Sequence, residues 1–286
     1  MLSYERQPTM RYRKPSTTTS RLRLTLLLLT FCASLYALTV EPNWVESRHY
    51  EKSAPGRQSV RIALVTDLHL NSIGYRERSL IKILEQAKPD ILVLGGDVVD
   101  QSDDLPVLRE LLSRVAVPQT VAVLGNWEYW SEMPFNELEA LYRENKVALL
   151  VNAAVEITVT GRRVRLVGLD DATAGTPRLD VATRAPDDDK AEISILIQHS
   201  PGFFTTKSAR RDLAGKGFDL CLSGHTHGGQ VTIFGWPLGL LPPGSGDLVA
   251  GWYETAMCPL YVSRGLGTSL IPVRFFARPE VTLFDL

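Results

Sequence analysis

With 286 residues, 44% of them hydrophobic and 22% charged, the chain can bury a full core and divide into one or two domains. A formal net charge of −1 excludes a global field that would recruit nucleic acid or acidic partners. Three cysteines, Cys32, Cys221 and Cys258, are too few and too scattered for a disulfide scaffold or a thiolate zinc site.

Residues 1–23 are basic, with Arg6, Arg11, Arg13, Lys14, Arg21 and Arg23 against Glu5 alone. Residues 24–40 carry no charge and are rich in leucine. At 1.5 Å per residue that stretch spans roughly 25 Å, close to the ~30 Å hydrocarbon core of a bilayer. It predicts one transmembrane helix, with Tyr36 and Trp44 near the far interface. The basic flank places the N-terminus in the cytoplasm and the rest outside, as in a single-pass protein of the inner (cytoplasmic) membrane. A cleaved signal peptide is the alternative, but no small-x-small site precedes Glu41. Residues 41–59 are polar, contain Pro42, Pro55 and Gly56, and read as a linker in which His49 is solvated.

From residue 60 the pattern alternates. Strands are expected at Val60–Thr66, Asp90–Gly95 and Thr120–Leu124, and helices at Glu77–Lys88, Leu105–Val115 and Pro134–Asn145. Such alternation predicts parallel β-α-β units. Val147–Thr160 and Arg163–Leu169 are β-rich, joined by a hairpin at Gly161-Arg162. Residues 172–190 read as a surface loop with room for one helical turn, then Glu192–Gln198 as a strand and Phe203–Ala214 as a helix. Phe218–Ser223, Leu260–Ser263 and Val281–Leu286 read as strands, with Cys221 an inert core thiol. The sum is an α/β fold, a four-layer α/β/β/α sandwich over residues 60–286.

Four of the five histidines fall in short motifs at the ends of these strands. The motifs are Asp67-Leu68-His69, Gly96-Asp97, Gly125-Asn126, Gln198-His199 and Gly224-His225-Thr226-His227. Carboxylate, amide oxygen and imidazole suit a divalent cation that must also activate water. Asp67 and His69 are two apart, so both can face one cation, and a carboxylate such as Asp97 has two oxygens and can bridge two. Strand carboxyl ends are where α/β folds place sites.

Together with Gly95-Gly96-Asp97, His199-Ser200-Pro201 and Ser223-Gly224-His225-Thr226-His227-Gly228-Gly229-Gln230, these motifs resemble the calcineurin-like metallophosphoesterases over roughly residues 60–286. The tail Ser263-Arg264-Gly265-Leu266-Gly267 through Arg278-Pro279-Glu280 is similar to the family's bacterial membrane-associated branch, which includes UDP-2,3-diacylglucosamine pyrophosphatases. The resemblance implies two divalent metal ions, manganese first and iron or zinc as alternatives. Asp67, His69 and His227 would hold one, Asn126, His199 and His225 the other, with Asp97 bridging. It implies in-line attack on phosphorus by a water-derived hydroxide held between cations roughly 3.5–4 Å apart, with Asp97 and Asn126 at the catalytic centre.

One position departs from the pattern. Trp127 follows Asn126 where the family has a histidine, and Glu128 stands at its following acidic position. Indole has no useful acid chemistry near neutral pH, and general-acid help is worth about 10²–10⁴-fold. The expected substrate is therefore a diphosphate or activated phosphodiester, whose leaving group departs unaided. The apolar segment Phe234–Pro243, next to the His225 loop, suggests that this substrate is lipid-linked; core packing explains the segment equally well. Trp127, Arg76 and Arg264 are the candidate substrate contacts, with Arg274 and Arg278 further candidates near the motifs. The expected function is a metal-dependent phosphohydrolase of the cell envelope. A UDP-2,3-diacylglucosamine pyrophosphatase and a non-catalytic metal sensor or scaffold are the alternatives. No basic aromatic surface suggests nucleic acid.

Overall fold

The apolar runs pair into two six-stranded sheets. In a computed structural model of the chain, the residues described are 17–52, 58–131, 133–182, 191–212, 217–239, 241–255 and 258–286. The first sheet has the order β1 (Glu46–Glu51), β14 (Glu280–Asp285), β2 (Arg61–Val65), β3 (Ile91–Leu94), β4 (Gln119–Ala122) and β5 (Val147–Leu149). The second has the order β12 (Gly251–Glu254), β13 (Pro259–Val262), β9 (Leu220–Ser223), β8 (Ile193–Ile197), β7 (Arg162–Gly168) and β6 (Ala153–Val159). β2 to β5 are parallel, as are β7, β8, β9 and β13, so both sheets carry a set of strand carboxyl ends to one edge.

The two-residue period of a strand sets the layers. Ile62, Leu64, Ile91 and Val93 face Val164, Leu166, Ile195 and Leu222 in a core between the sheets. The alternate residues Ala63, Val65, Leu92 and Leu94 face outward, against α2 (Tyr75–Ala87), α3 (Leu105–Arg114) and α5 (Phe135–Glu144). Those helices bury Leu80 and Leu84, Leu105, Leu108 and Leu111, and Leu138, Leu141 and Tyr142, spaced at three and four residues as a one-sided helical stripe requires. On the other side, Val167, Leu196, Cys221 and Leu260 pack against Phe204 and the short helices α6 (Leu179–Ala182) and α7 (Lys207–Asp212). The result is the expected four-layer sandwich.

Several expectations need correction. Residues 41–59, read as a linker, contain β1, which pairs in parallel with β14 over Glu46–Glu51. Its sequence is polar because it is an edge strand with alternate residues exposed; the main-chain ladder does not need apolar side chains. His49 is half exposed but not free, since its Nε2 lies 2.8 Å from Asp285 Oδ2. Val147–Thr160 is two strands in different sheets, split at residues 150–152. Cys221 is not a free thiol: it forms a disulfide with Cys258, with Cα atoms 5.9 Å apart across the β9–β13 pair. Expected helix Phe203–Ala214 is a 3₁₀ turn, Pro201–Thr205, followed by α7; residues 213–216, like 183–190 of the expected loop, lie outside those described.

At the N-terminus, α1 (Thr17–Leu35) continues through a π turn at Tyr36–Val40 and a 3₁₀ turn at Glu41–Asn43. Residues 21–43 are long and apolar enough to cross a membrane, and Leu22, Leu24 and Leu26–Leu29 are exposed. The end of this segment is fastened to the sandwich. Arg274 donates its backbone N–H to Ala37 O at 3.0 Å, and Ala277 N–H bonds the buried Glu41 carboxylate at 2.6 Å. Tyr36 meets Phe275 edge-on.

Candidate metal centre

All seven motif residues are buried at the shared strand edge: Asp67 and His69 after β2, Asp97 after β3, Asn126 after β4, His199 after β8, and His225 and His227 after β9. Their side chains form two clusters, Asp67–His69–His227 and Asp97–His199–His225, each with ligand-type atoms within 4.8 Å of one another. Asp97 Oδ2 lies 3.1 Å from His199 Nε2 and 3.9 Å from His69 Nε2, so it stands between the clusters. Asn126 opens α4 (Asn126–Trp130), a helix the sequence reading missed.

The backbone takes an uncommon path to do this. Asp67, His69, Asp97, His225 and His227 all have positive φ, between 44° and 74°. A non-glycine residue there carries strain, and strain of this kind concentrates at functional sites. The path also needs close approach: a Cβ on Gly125 would meet Asp97 Oδ1 at 2.2 Å, and Gly96, at φ 93°, has His199 Nδ1 where its Cβ would be, 2.6 Å away.

Neighbouring groups fix which atoms face inward. His199 Nδ1 donates to Gly95 O at 2.8 Å and His225 Nε2 to Pro243 O at 2.7 Å. His69 Nδ1 donates to Asp100 Oδ1 at 2.5 Å. Each ring thereby presents its other nitrogen to the centre, the arrangement that outer partners give to metal-binding histidines. Asp67 accepts from His225 N at 2.8 Å and Thr66 Oγ1 at 2.9 Å, and Asp97 Oδ1 accepts from Trp127 N at 2.8 Å. Glu128 accepts three backbone N–H groups: Val98 on Oε1, and Asp97 and Gly125 on Oε2, at 2.7 to 3.1 Å. It therefore ties the β3 loop to the β4 loop.

Three inward atoms have no hydrogen-bond partner although fully buried: Asn126 Oδ1, His199 Nε2 and His225 Nδ1. Orphaned buried polar atoms are costly and ask for an explanation. Here all three are lone-pair donors beside two buried carboxylates, a set that fits divalent cations. The electrostatics show the same demand. Burial would raise the Asp97 carboxyl, but positive charge beside it, carried by the His199 and His69 rings when no cation supplies it, holds it down at about 2. Burial and the Asp97 charge push Glu128 up to about 7, against its N–H donors. Burial and the neighbouring His69 and Arg274 depress His227 well below the ordinary imidazole value, keeping it neutral, as ligation requires.

A cleft opens over the centre, lined by Asp97, Asn126, His225 and His227 below and by Trp127, Trp130, Leu241 and Leu270 above. The edge of the Trp127 ring meets His69 at 5.7 Å between centroids. Arg76 and Arg264 are not among the lining residues. Arg76 Nε is bound to Glu77 at 2.7 Å, and Arg264 to Glu280 at 2.7 Å and to Glu46. Arg274 is fully buried and donates to the carbonyls of Gly267, Ala277 and Arg264, while Arg278 stacks on Trp44. Besides α4, the sequence reading missed Asp100, and with it Asp171, which accepts from Ser200 Oγ at 2.5 Å beside His199. No periodicity marks either one, because each acts across strands.

Two mixed, mainly parallel sheets in a four-layer sandwich, with carboxylate, amide and imidazole gathered at one strand edge, define a metal-dependent hydrolase architecture. Residues 60–229 match the calcineurin-like phosphoesterase family, and the chain belongs to that family. It is 32% identical over 263 residues to the phosphodiesterase YaeI of Escherichia coli (strain K12), covering 86% of this chain and 90% of the relative. It is 29% identical to the metallophosphoesterase YkuE of Bacillus subtilis (strain 168), with 88% of each chain covered. It is 31% identical to a transmembrane protein with metallophosphoesterase domain of Bos taurus, covering 80% of this chain and 53% of that one. The chain is thus a metallophosphoesterase, a hydrolase of phosphoester bonds, with residue groups suited to a dinuclear divalent metal site.

Proposed function

We propose that the protein hydrolyses a lipid-linked phosphodiester or diphosphate outside the cytoplasm. Asp67, His69 and His227 would hold one divalent ion, and Asn126, His199 and His225 the other. The observation that carries this reading is Asp97 Oδ2, 3.1 Å from His199 Nε2 of one cluster and 3.9 Å from His69 Nε2 of the other, from where a carboxylate could serve both ions. When bound, the ions supply Lewis-acid activation of water and neutralise charge developing on the phosphate. The chain's own part is positioning. Glu128 and the Trp127 N–H lock Asp97, and Asp100 and Gly95 set the rotation of His69 and His199. Trp127 walls the cleft and offers no proton to a leaving group, which favours a phosphate or an activated alcohol in that place.

The apolar cleft rim of Trp130, Leu241 and Leu270 suits a substrate with a hydrocarbon part. Two features support an exported domain anchored by α1: the basic residues before the apolar helix, and the Cys221–Cys258 disulfide, a bond favoured in oxidising compartments. An exported domain sits poorly with a UDP-diacylglucosamine substrate, which is made in the cytoplasm. Manganese is the metal to test first.

The test is hydrolysis of bis(p-nitrophenyl) phosphate by the full chain in detergent with added manganese. Asp97→Asn is expected to lower turnover by about 10²-fold or more, since even outer partners of metal ligands are worth 10–100-fold. Manganese binding without turnover in the parent chain would point instead to a sensor or scaffold.

A further inference from the structure

Two segments beside the cleft expose large apolar side chains and no charged ones, the single Arg274 being fully buried. The first is a hairpin of β10 (Thr232–Ile233) and β11 (Trp236–Pro237). At and beyond its tip, Phe234 is 93% exposed, Trp236 79% and Leu238 61%. The second is residues 268–276, where Leu270 is 89% exposed, Ile271 61% and Phe276 63%. Residues 231–239 and 265–273 contain no Asp, Glu, Lys or Arg. Contiguous exposed apolar surface of this kind marks an interaction site, and Trp, Phe and Leu are the side chains that segments lying in the lipid–water interface bury.

The two segments are one surface. Thr232 N–H bonds Phe275 O at 2.8 Å, Phe275 N–H bonds Gln230 O at 2.9 Å, and Gln230 Nε2 reaches Ile271 O at 3.0 Å. That surface is continuous with the end of α1. Ala33, Ala37 and Leu38 form one apolar recess with Val231, Ile271 and Phe275, and the Arg274 N–H to Ala37 O bond closes the junction. It is also continuous with the centre, because Gln230 and Leu270 line the metal cleft beside His225 and His227.

We infer that the β10–β11 hairpin and residues 268–276 form a bilayer-docking surface on the leaflet from which α1 emerges, holding the mouth of the metal cleft against the lipid headgroups. The inference rests on the reading of α1 as a membrane anchor. The occupant follows from the junction: a helix that leaves the bilayer at Tyr36–Val40 and is fastened at Ala37 and Glu41 carries the neighbouring hairpin to the same depth. A flexible tether would allow the domain to turn its apolar loops away; these bonds do not. A phosphate at headgroup level would then reach the cleft without its hydrocarbon chain crossing water.

The experiment uses the full chain, with Cys32→Ser so that only an introduced thiol is labelled. Phe234→Cys, Ile271→Cys and, as a control on exposed α5, Glu139→Cys are each coupled to an environment-sensitive fluorophore. Each chain must keep the cooperative thermal transition of its parent, which substitution at exposed positions should permit. The chains are reconstituted into phosphatidylcholine/phosphatidylglycerol vesicles containing a headgroup-nitroxide lipid. Blue-shifted emission, and quenching several-fold stronger at 234 and 271 than at 139, is expected. Equal emission and quenching at all three sites, in a chain that resists alkaline carbonate extraction, would overturn the docking surface and leave the anchor standing. Carbonate release of the chain would overturn the anchor reading and the inference with it. Protection of 234 and 271 by a second copy, shown by cross-linking between labelled sites, would also overturn it.

Discussion

Replacing Glu128 by glutamine keeps the shape of a buried side chain and removes one acceptor. Glu128 Oε2 takes the N–H groups of Asp97 and Gly125, and Oε1 takes that of Val98 at 2.7 Å. The least damaging placement of the new amide puts its NH₂ at the Oε1 position, which sets two donors against each other and loses the Val98 bond. At about pH 8 and above, where Glu128 carries its charge, a hydrogen bond to it contributes about 1.5–3 kcal/mol. If that loss falls on the geometry of Asp97 and Asn126, which Glu128 joins, it appears as metal affinity. At about 1.4 kcal/mol per decade, affinity falls roughly 10–100-fold, the range reported for outer partners of metal ligands. Calorimetric titration of the full chain with manganese, wild type against Glu128→Gln, reads this directly, and thermal unfolding of the metal-free chains supplies the control. A lower unfolding temperature with unchanged manganese affinity would refute the reasoning, because Glu128 would then stabilise the fold without positioning the centre.

Trp127→His is expected to speed hydrolysis of diesters with alkyl leaving groups by about 10²-fold and to change p-nitrophenyl esters little, because only a poor leaving group needs a proton; an equal gain for both would count against the account of Trp127. Arg61 holds Asp285 through two bonds of 2.7 Å, and this pair, with His49, keeps the carboxyl below its usual range. A depressed carboxyl contributes stability at pH values above the unfolded value of about 3.9 and loses it as pH falls through the folded one. Asp285→Asn should therefore cost about 1–3 kcal/mol in urea unfolding at pH 7, with the gap narrowing as pH falls below about 3.9; a gap that stays constant with pH would contradict the pairing. The double change Cys221→Ala with Cys258→Ala removes a cross-link of sequence separation 37. The unfolding free energy should fall by up to ~4 kcal/mol, and reduction of the parent chain should reproduce the loss.

The sequence alone determined the alternation of strands and helices, because that information is periodic and local. Ile62 and Leu64 point one way and Ala63 and Val65 the other whatever lies around them. It also determined the chemistry of the seven motif residues, since carboxylate, amide and imidazole are properties of residue type. β1 escaped because an edge strand needs only main-chain bonds, and its Glu46–Glu51 sequence is polar. Residues 147–160 show one β-rich run because periodicity reports a strand and not the sheet it joins.

Tertiary structure decided everything that depends on a meeting of distant parts. It paired Cys221 with Cys258, turned Arg264 toward Glu280 and Glu46 instead of the cleft, and set Asp100 behind His69. It placed Asp97 Oδ2 between two clusters drawn from both sheets, at the cost of positive φ at five of the seven residues. No local preference selects such a backbone. Only the packing of two sheets, face to face over one core, constrains it, which is why the ligands could be read from the chain and their geometry could not.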